Sequence, residues 1–270
     1  KKDDMSFAKS IAKLGSAYVN DAFGVLHRRH ASVSALPSCI EKKAIGRLVQ
    51  HEHDALAKLL GEESKPFVAV LGGAKVSDKI ILMDNLTLHC EDILVGGAMA
   101  YTFLKAQGIE VGSSRVEEDK LSLARTLLNR CKERGVRLHL PTDHVVAEQF
   151  EAEAEASVST EIPEGSMGLD IGPETQARYA EVISGARSVF WNGPMGVFEW
   201  ESFSSGTRAV AQALVDSQAY SVVGGGDSAA ALNRFELGQG VSHISTGGGA
   251  SLAFLEGDPL PGLSVFEGAN

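Results

Sequence analysis

Four times along the chain a short apolar run stops at a cluster of glycines, at 72–73, 96–97, 224–226 and 247–249. Glycine makes up 29 of the 270 residues, about 11 % against a usual level of about 7 %. Because each cluster closes an apolar run and opens a stretch of helix formers, the glycines mark strand ends and are not a flexible linker. The runs Phe67–Leu71, Asp92–Val95, Val136–Leu140, Ser188–Trp191, Tyr220–Val223 and His243–Ser245 read as buried strands. They alternate with helical patterns over 98–106, 117–133, 173–184 and 206–216 and a last one to 256. This pattern predicts a doubly wound, Rossmann-like α/β fold: a six-stranded parallel sheet with helices on both faces. In such sheets ligands bind beyond the carboxyl ends of the strands. Lys75, Lys79, Asn192, Glu199 and Asp227 all follow strand ends, so they are expected to converge on one edge.

The densest of these segments is Val222-Val223-Gly224-Gly225-Gly226-Asp227-Ser228. Glycines let the backbone approach an anion closely, and a helix starting near Ser228 offers unpaired N–H groups and the positive end of its dipole. Asp227 would repel a bare phosphate, and it makes sense if a divalent cation sits between the two. The alternative is a tight turn with Asp227 or Ser228 as an N-cap. A P-loop, G-x-x-x-x-G-K-[ST], does not occur. A dinucleotide fingerprint does, at Gly224, Gly226 and Ala229, but the following strand closes in Ser245-Thr246-Gly247, without the acid that a dehydrogenase needs there.

The net charge of −10 argues against nucleic-acid or anionic-membrane partners. Cys39, Cys90 and Cys131 lie far apart and form no C-x-x-C, so neither a disulfide framework nor a zinc site is indicated. No apolar run reaches the length of a membrane span and no signal peptide opens the chain, which makes the cytoplasm the expected location. In the first part, residues 4–15 read as an amphipathic helix, Ala17–Gly24 as a short strand ending in a turn, and 43–60 as a long helix. His27-Arg28-Arg29-His30 is the densest positive spot. It reads either as a solvated loop or as an anion site in which Arg28 grips a carboxylate or phosphate.

Taken together, Asp21-Ala22-Phe23-Gly24, His27-Arg28-x-His30-Ala31-Ser32, Leu71-Gly72-Gly73-Ala74-Lys75-Val76-Ser77-Asp78-Lys79, Gly96-Gly97-Ala98-Met99-Ala100, Leu140-Pro141-x-Asp143, Gly168-Leu169-Asp170-Ile171-Gly172-Pro173, Trp191-Asn192-Gly193-Pro194-Met195-Gly196-Val197-Phe198-Glu199, Gly224–Ser228 and Ser245–Ser251 resemble the phosphoglycerate kinase family, in its order and over essentially the whole chain. Ala98 stands where many members carry a third glycine. The resemblance implies a two-domain enzyme of glycolysis moving a phosphoryl group between 1,3-bisphosphoglycerate and ADP, or 3-phosphoglycerate and ATP, with Mg²⁺ on the nucleotide.

By resemblance, Lys75 follows the transferring phosphoryl group and Lys79 holds the nucleotide phosphates, with Gly225 and Gly226 sharing the catalytic role. Asp227 binds Mg²⁺. Ser228, Asn192 and the Gly225–Gly226 amides hold phosphate oxygens, and Glu199 takes the ribose hydroxyls. Gly73, Ala74, Gly96, Gly97, Gly168, Leu169, Pro194 and Val197 line a slot for adenine and ribose. His27 and Arg28 contact phosphoglycerate.

The resemblance also implies four segments. Residues 1–42 are the remnant of a phosphoglycerate-binding α/β domain, 43–60 an interdomain helix, 61–256 the nucleotide-binding domain, and 257–270 a tail returning to the first domain. Glu52 and Thr246 fall at hinge positions. Family members carry a long segment ahead of the point matching Lys1, with most of the substrate-binding arginines and the catalytic arginine. Two expectations follow: this chain is the nucleotide half of a monomeric kinase, or it is a non-catalytic ADP/ATP-binding module left by truncation, with turnover absent or very low. Residues 1–42 cannot bury their apolar faces alone, so they are expected to be disordered, misplaced or supplied with a partner surface.

Overall fold

The structure is a computed structural model that describes residues 3–266, so residues 1–2 and 267–270 of the expected terminal segments lie outside the described residues. The chain divides into two compact units, Lys1–Lys58 with Ser245–Asn270, and Leu59–Ile244. Residues 245–256, which the sequence groups with the nucleotide-binding part, fall in the first unit.

The first unit opens with α1 (Met5–Ala12), whose first turn is capped by Asp4 Oδ1 accepting from the Phe7 amide at 3.0 Å. It continues through β1 (Ala17–Asn20), the short turn α2 (Leu36–Ser38), β2 (Lys42–Ile45) and α3 (Arg47–Leu60). β1 and β2 pair in parallel, Ala17 opposite Lys42 and Asn20 opposite Ile45. The helix expected from residue 43 therefore starts at Arg47. Its start is fixed by Asp21, whose Oδ1 accepts from the Leu48 and Val49 amides at 2.7 and 3.2 Å. Gly46 lets this happen, since a Cβ there would lie 2.2 Å from the Asp21 carboxyl carbon. Residues 5–38 are thus ordered into helix, strand and turn, with Ala8, Phe23 and Leu26 fully buried, while Phe7 and Leu14 stay 56 % and 85 % exposed.

The second unit runs β3 (Phe67–Leu71), α4 (Ile80–Leu86), β4 (Asp92–Val95), α5 (Met99–Ala106), α6 (Leu121–Arg134), β5 (Arg137–His139), β6 (His144–Ala147), β7 (Ser157–Ser159), β8 (Met167–Ile171), α7 (Pro173–Ser184), β9 (Ser188–Asn192), α8 (Ser205–Asp216), β10 (Tyr220–Gly224), α9 (Gly226–Arg234) and β11 (His243–Ile244). The last helices, α10 (Gly249–Leu255) and α11 (Pro261–Ser264), belong to the first unit.

All six expected strands form one parallel sheet in the order β11-β10-β9-β3-β4-β5. The central strands β3 and β9 are buried at every residue. Val68, Val70, Val189, Trp191 and Val223 pack against Tyr179 and Ile183 of α7, Val210 and Leu214 of α8, and Leu232 of α9. Strand alternation turns Phe67, Ala69 and Leu71 to the opposite face, where they too are fully buried. A second sheet, β7-β6-β8, is antiparallel and absent from the sequence expectation. No helix among the described residues is long and apolar enough to cross a membrane.

Candidate active site

The sheet register brings the chemistry-bearing loops to one level. Asn192 at the end of β9 stands opposite both Leu71 of β3 and Gly224 of β10, and Leu71 stands opposite Val95 of β4. The four following segments therefore leave the sheet side by side and interlock. The Gly73 amide donates to the Pro194 carbonyl at 3.0 Å, the Gly97 amide to Met195 at 2.8 Å and the Met99 amide to Gly73 at 3.0 Å. A Cβ on Gly72 would meet the Pro194 oxygen at 2.0 Å, so this approach of backbones requires glycine.

At the β10 end, Gly225 adopts φ 93°, and α9 begins at Gly226, two residues earlier than the start expected near Ser228. The positive dipole end and free amides of this nine-residue helix face outward beside the exposed Asp227. Asn192 is buried beneath them. Its amide nitrogen donates to the Gly224 carbonyl at 2.8 Å, and its Oδ1 accepts from the Lys79 ammonium. The Ser228 hydroxyl is fully buried and accepts from the Gly193 amide at 2.7 Å. It ties the β9 loop to the first turn of α9. Residues 74–79 are not helical, and Lys79 lies just ahead of α4. The loop is held from the side by Glu117, whose carboxylate accepts from the Ser77 amide and hydroxyl at 3.0 and 2.6 Å.

Beside this cluster lies a cleft of about 510 Å³, a size suited to a small organic ligand. Of the residues singled out from the sequence, Gly73, Ala74, Gly97, Gly168, Leu169, Pro194, Val197, Glu199 and Asp227 line it. Gly168 sits flat on Tyr101, where a Cβ would come 2.0 Å from the phenol oxygen. Leu169 and Val197 are joined by a 2.9 Å backbone bond. Behind Leu169, Asp170 is buried, and burial pushes its carboxyl up to about 7, although the Gly206 and Ile171 amides and the Ser205 hydroxyl favour the charged form.

Gly96 is buried under the cleft against Met195. Lys75 is exposed and, like Lys79, Asn192, Gly225, Gly226 and Ser228, lies outside the cleft lining. The lining also holds residues that sequence reasoning missed: Ala98, Ser113, Arg115, Phe150, Met167 and Gly196. Phe150 packs on Trp200 with ring centroids 4.6 Å apart yet remains 59 % exposed. An exposed aromatic is a signal, but a loop after a short strand carries no glycine to announce it.

In the first unit, Arg28 is exposed and its Nε donates to His27 Nε2 at 3.2 Å. Burial, then the neighbouring Arg28 and His30 charges, lower the His27 pKa. Its ring faces the start of α10, 3.2 Å from where a Gly249 Cβ would stand.

The family model for phosphoglycerate kinase matches residues 1–258. The chain belongs to the phosphoglycerate kinase family. The phosphoglycerate kinase of Anaeromyxobacter dehalogenans strain 2CP-C is 53 % identical over 268 residues, covering 98 % of this chain and 68 % of that protein. That of Clostridium botulinum strain Alaska E43 is 51 % identical over 265 residues, covering 98 % and 67 %. Among solved structures, phosphoglycerate kinase from Coxiella burnetii superposes with a TM-score of 0.95 at 42 % identity, covering 98 % of this chain and 69 % of that one. The enzyme from Pyrococcus horikoshii gives 0.84 at 31 %, covering 99 % and 69 %. The activity is therefore that of a phosphotransferase, phosphoglycerate kinase, and the binding-only alternative is not favoured.

Proposed function

We propose that the cleft of the second unit holds ADP or ATP with Mg²⁺, and that His27 and Arg28 of the first hold the phosphoglycerate. The segments 1–42, 43–60, 61–256 and 257–270 then divide the labour as the family resemblance implies. The observation that carries this reading is the common level of Leu71, Val95, Asn192 and Gly224 in the sheet. It sets Lys79 and the start of α9 beside a cleft whose lining includes Asp227.

In this reading the base lies in the slot of Gly97, Gly168, Leu169 and Val197, and Glu199 accepts from the ribose hydroxyls. Lys79, Asn192 and the Gly225 and Gly226 amides hold the phosphates, and Lys75, free of the cleft wall, follows the transferred group. The buried Ser228 hydroxyl acts on the Gly193 amide and contributes by fixing the loop. Phosphoryl transfer asks the protein for positioning and charge neutralisation more than for covalent chemistry.

Asp227 fits a divalent cation that arrives with the nucleotide. Its carboxylate is exposed on the cleft, and no group of three or more His, Cys, Asp or Glu among the described residues could hold a metal by itself. One carboxylate plus substrate phosphates is a common Mg²⁺ ligand set. When bound, the ion neutralises charge on the phosphate oxygens. The lysines and backbone amides orient those oxygens. Glu52, buried and accepting from the Thr246 amide and hydroxyl at 2.7 Å each, suits the hinge role the resemblance implies. The protein is read as a cytoplasmic monomer.

A crystal structure with Mg²⁺ and ADP tests this reading. The diphosphate is expected over the Gly225–Gly226 amides with the ribose on Glu199. A nucleotide bound elsewhere overturns it.

A further inference from the structure

The cleft wall carries a charge that the proposed roles leave unused. Of the described residues lining it, Arg115 is the one cation, in a lining otherwise made of Ser113, glycine, alanine and apolar side chains, with Glu199 and Asp227 as the lining acids. It is exposed and forms no ion pair among the described residues. The acids nearest in sequence are committed elsewhere. Glu117 accepts from Ser77, and Glu118 accepts from Lys105 at 2.5 Å.

The backbone around Arg115 is pinned on both sides. The Ser113 amide donates to the Ser166 carbonyl at 2.8 Å, and Ser114 Oγ accepts from the Gly168 amide at 2.9 Å. On the other side, the Glu117 amide donates to Thr102 Oγ1 at 3.1 Å. These bonds fix Arg115 beside the Gly168 wall, on the β8 side of the cleft. The proposed phosphate-holding groups follow the ends of β3, β9 and β10 instead.

Resting on the reading that the cleft holds a nucleotide, we propose that Arg115 is a specificity-determining residue that lays its guanidinium on the base and favours purines. A guanidinium is planar, weakly hydrated and always charged, and it stacks on π faces in a way an ammonium does not. A purine offers it a larger face than a pyrimidine.

The test is the substitution of an exposed residue, Arg115→Leu and Arg115→Lys, read by KM and by calorimetry with Mg·ADP, adenosine and Mg·CDP. For Arg115→Leu, KM for Mg·ADP is expected to rise about three- to tenfold with kcat unchanged. Adenosine affinity falls by the same factor, and the preference for ADP over CDP shrinks. Arg115→Lys is expected to behave like Arg115→Leu. Unchanged ADP affinity in Arg115→Leu, full rescue by lysine, or a loss with ADP but not with adenosine each overturns the proposal, the last two by moving the arginine's role to the phosphates. Asp227→Ala, measured alongside, separates the two readings. If it weakens ADP binding while Arg115→Leu does not, the nucleotide cleft stands and this inference fails.

Discussion

Lys79 and Asn192, far apart in the sequence, meet at the carboxyl edge of the sheet, where the lysine ammonium donates to the asparagine Oδ1. The same amide donates to the Gly224 carbonyl at 2.8 Å from a position only 3 % exposed. Asn192 thus holds a cation on one side and the entrance to the glycine triplet on the other. Asn192→Ala leaves a buried carbonyl without a donor, which costs about 1–3 kcal/mol. We expect urea unfolding to show that loss, and a coupled assay to show kcat falling together with stability. An Asn192→Ala protein with unchanged unfolding midpoint and turnover would remove the amide from this role.

Gly168 carries a second prediction. Its Cα rests on the Tyr101 ring, and a methyl group would come 2.0 Å from the phenol oxygen and 2.3 Å from Cζ. Tyr101 is 3 % exposed and has nowhere to retreat. Gly168→Ala is expected to push the cleft wall outward, destabilising by about 1–3 kcal/mol and raising KM for the nucleotide about tenfold. Denaturation and steady-state kinetics on the same protein check both.

Two buried groups set opposite dependences of stability on pH. Asp170, ordinarily at 3.8, is pushed up to about 7 by burial. Between those values the folded chain keeps a proton that the unfolded chain has lost, so stability falls as pH rises through this window and levels off above it. His144, ordinarily at 6.5, is lowered to about 4 by burial. There the unfolded chain holds the extra proton, and stability rises with pH between about 4 and 6.5. Each slope is at most about 1.4 kcal/mol per pH unit. Urea titrations at several pH values should show Asp170→Asn gaining on the parent from acid toward neutral pH, and His144→Gln losing the opposite slope below 6.5. Parallel curves for all three proteins would contradict the assignments.

The six parallel strands were legible because each is a short apolar run closed by turn residues, which in a buried parallel sheet is nearly the whole signal. The second sheet was not. His144–Ala147 is short, and Val158 of its partner is 58 % exposed, so neither strand stands out as an apolar run. Residues 43–45 continue the helical spacing of Leu48, but pairing with β1 draws Lys42–Ile45 into a strand, a case of tertiary context overriding local pattern. The residues of the proposed phosphate end could be grouped from the sequence because they follow strand ends. Ser113, Arg115 and Phe150 follow a helix or sit in a loop, and only the fold brings them to the cleft. Ser228 shows the reverse case, a residue whose hydroxyl the motif aims at ligand and the packing gives to Gly193.

The central claim is that a nucleotide diphosphate binds where the cleft lined by Asp227 meets the Lys79 ammonium and the α9 amides beside it. Isothermal titration with Mg·ADP, comparing the parent protein with Asp227→Ala and Lys79→Ala after thermal melting has shown each folded, tests it most directly. The account predicts at least a tenfold loss of affinity in both variants, about 1.4 kcal/mol or more, with Asp227→Ala also blunting the dependence on Mg²⁺. Unchanged affinity in both variants would contradict it.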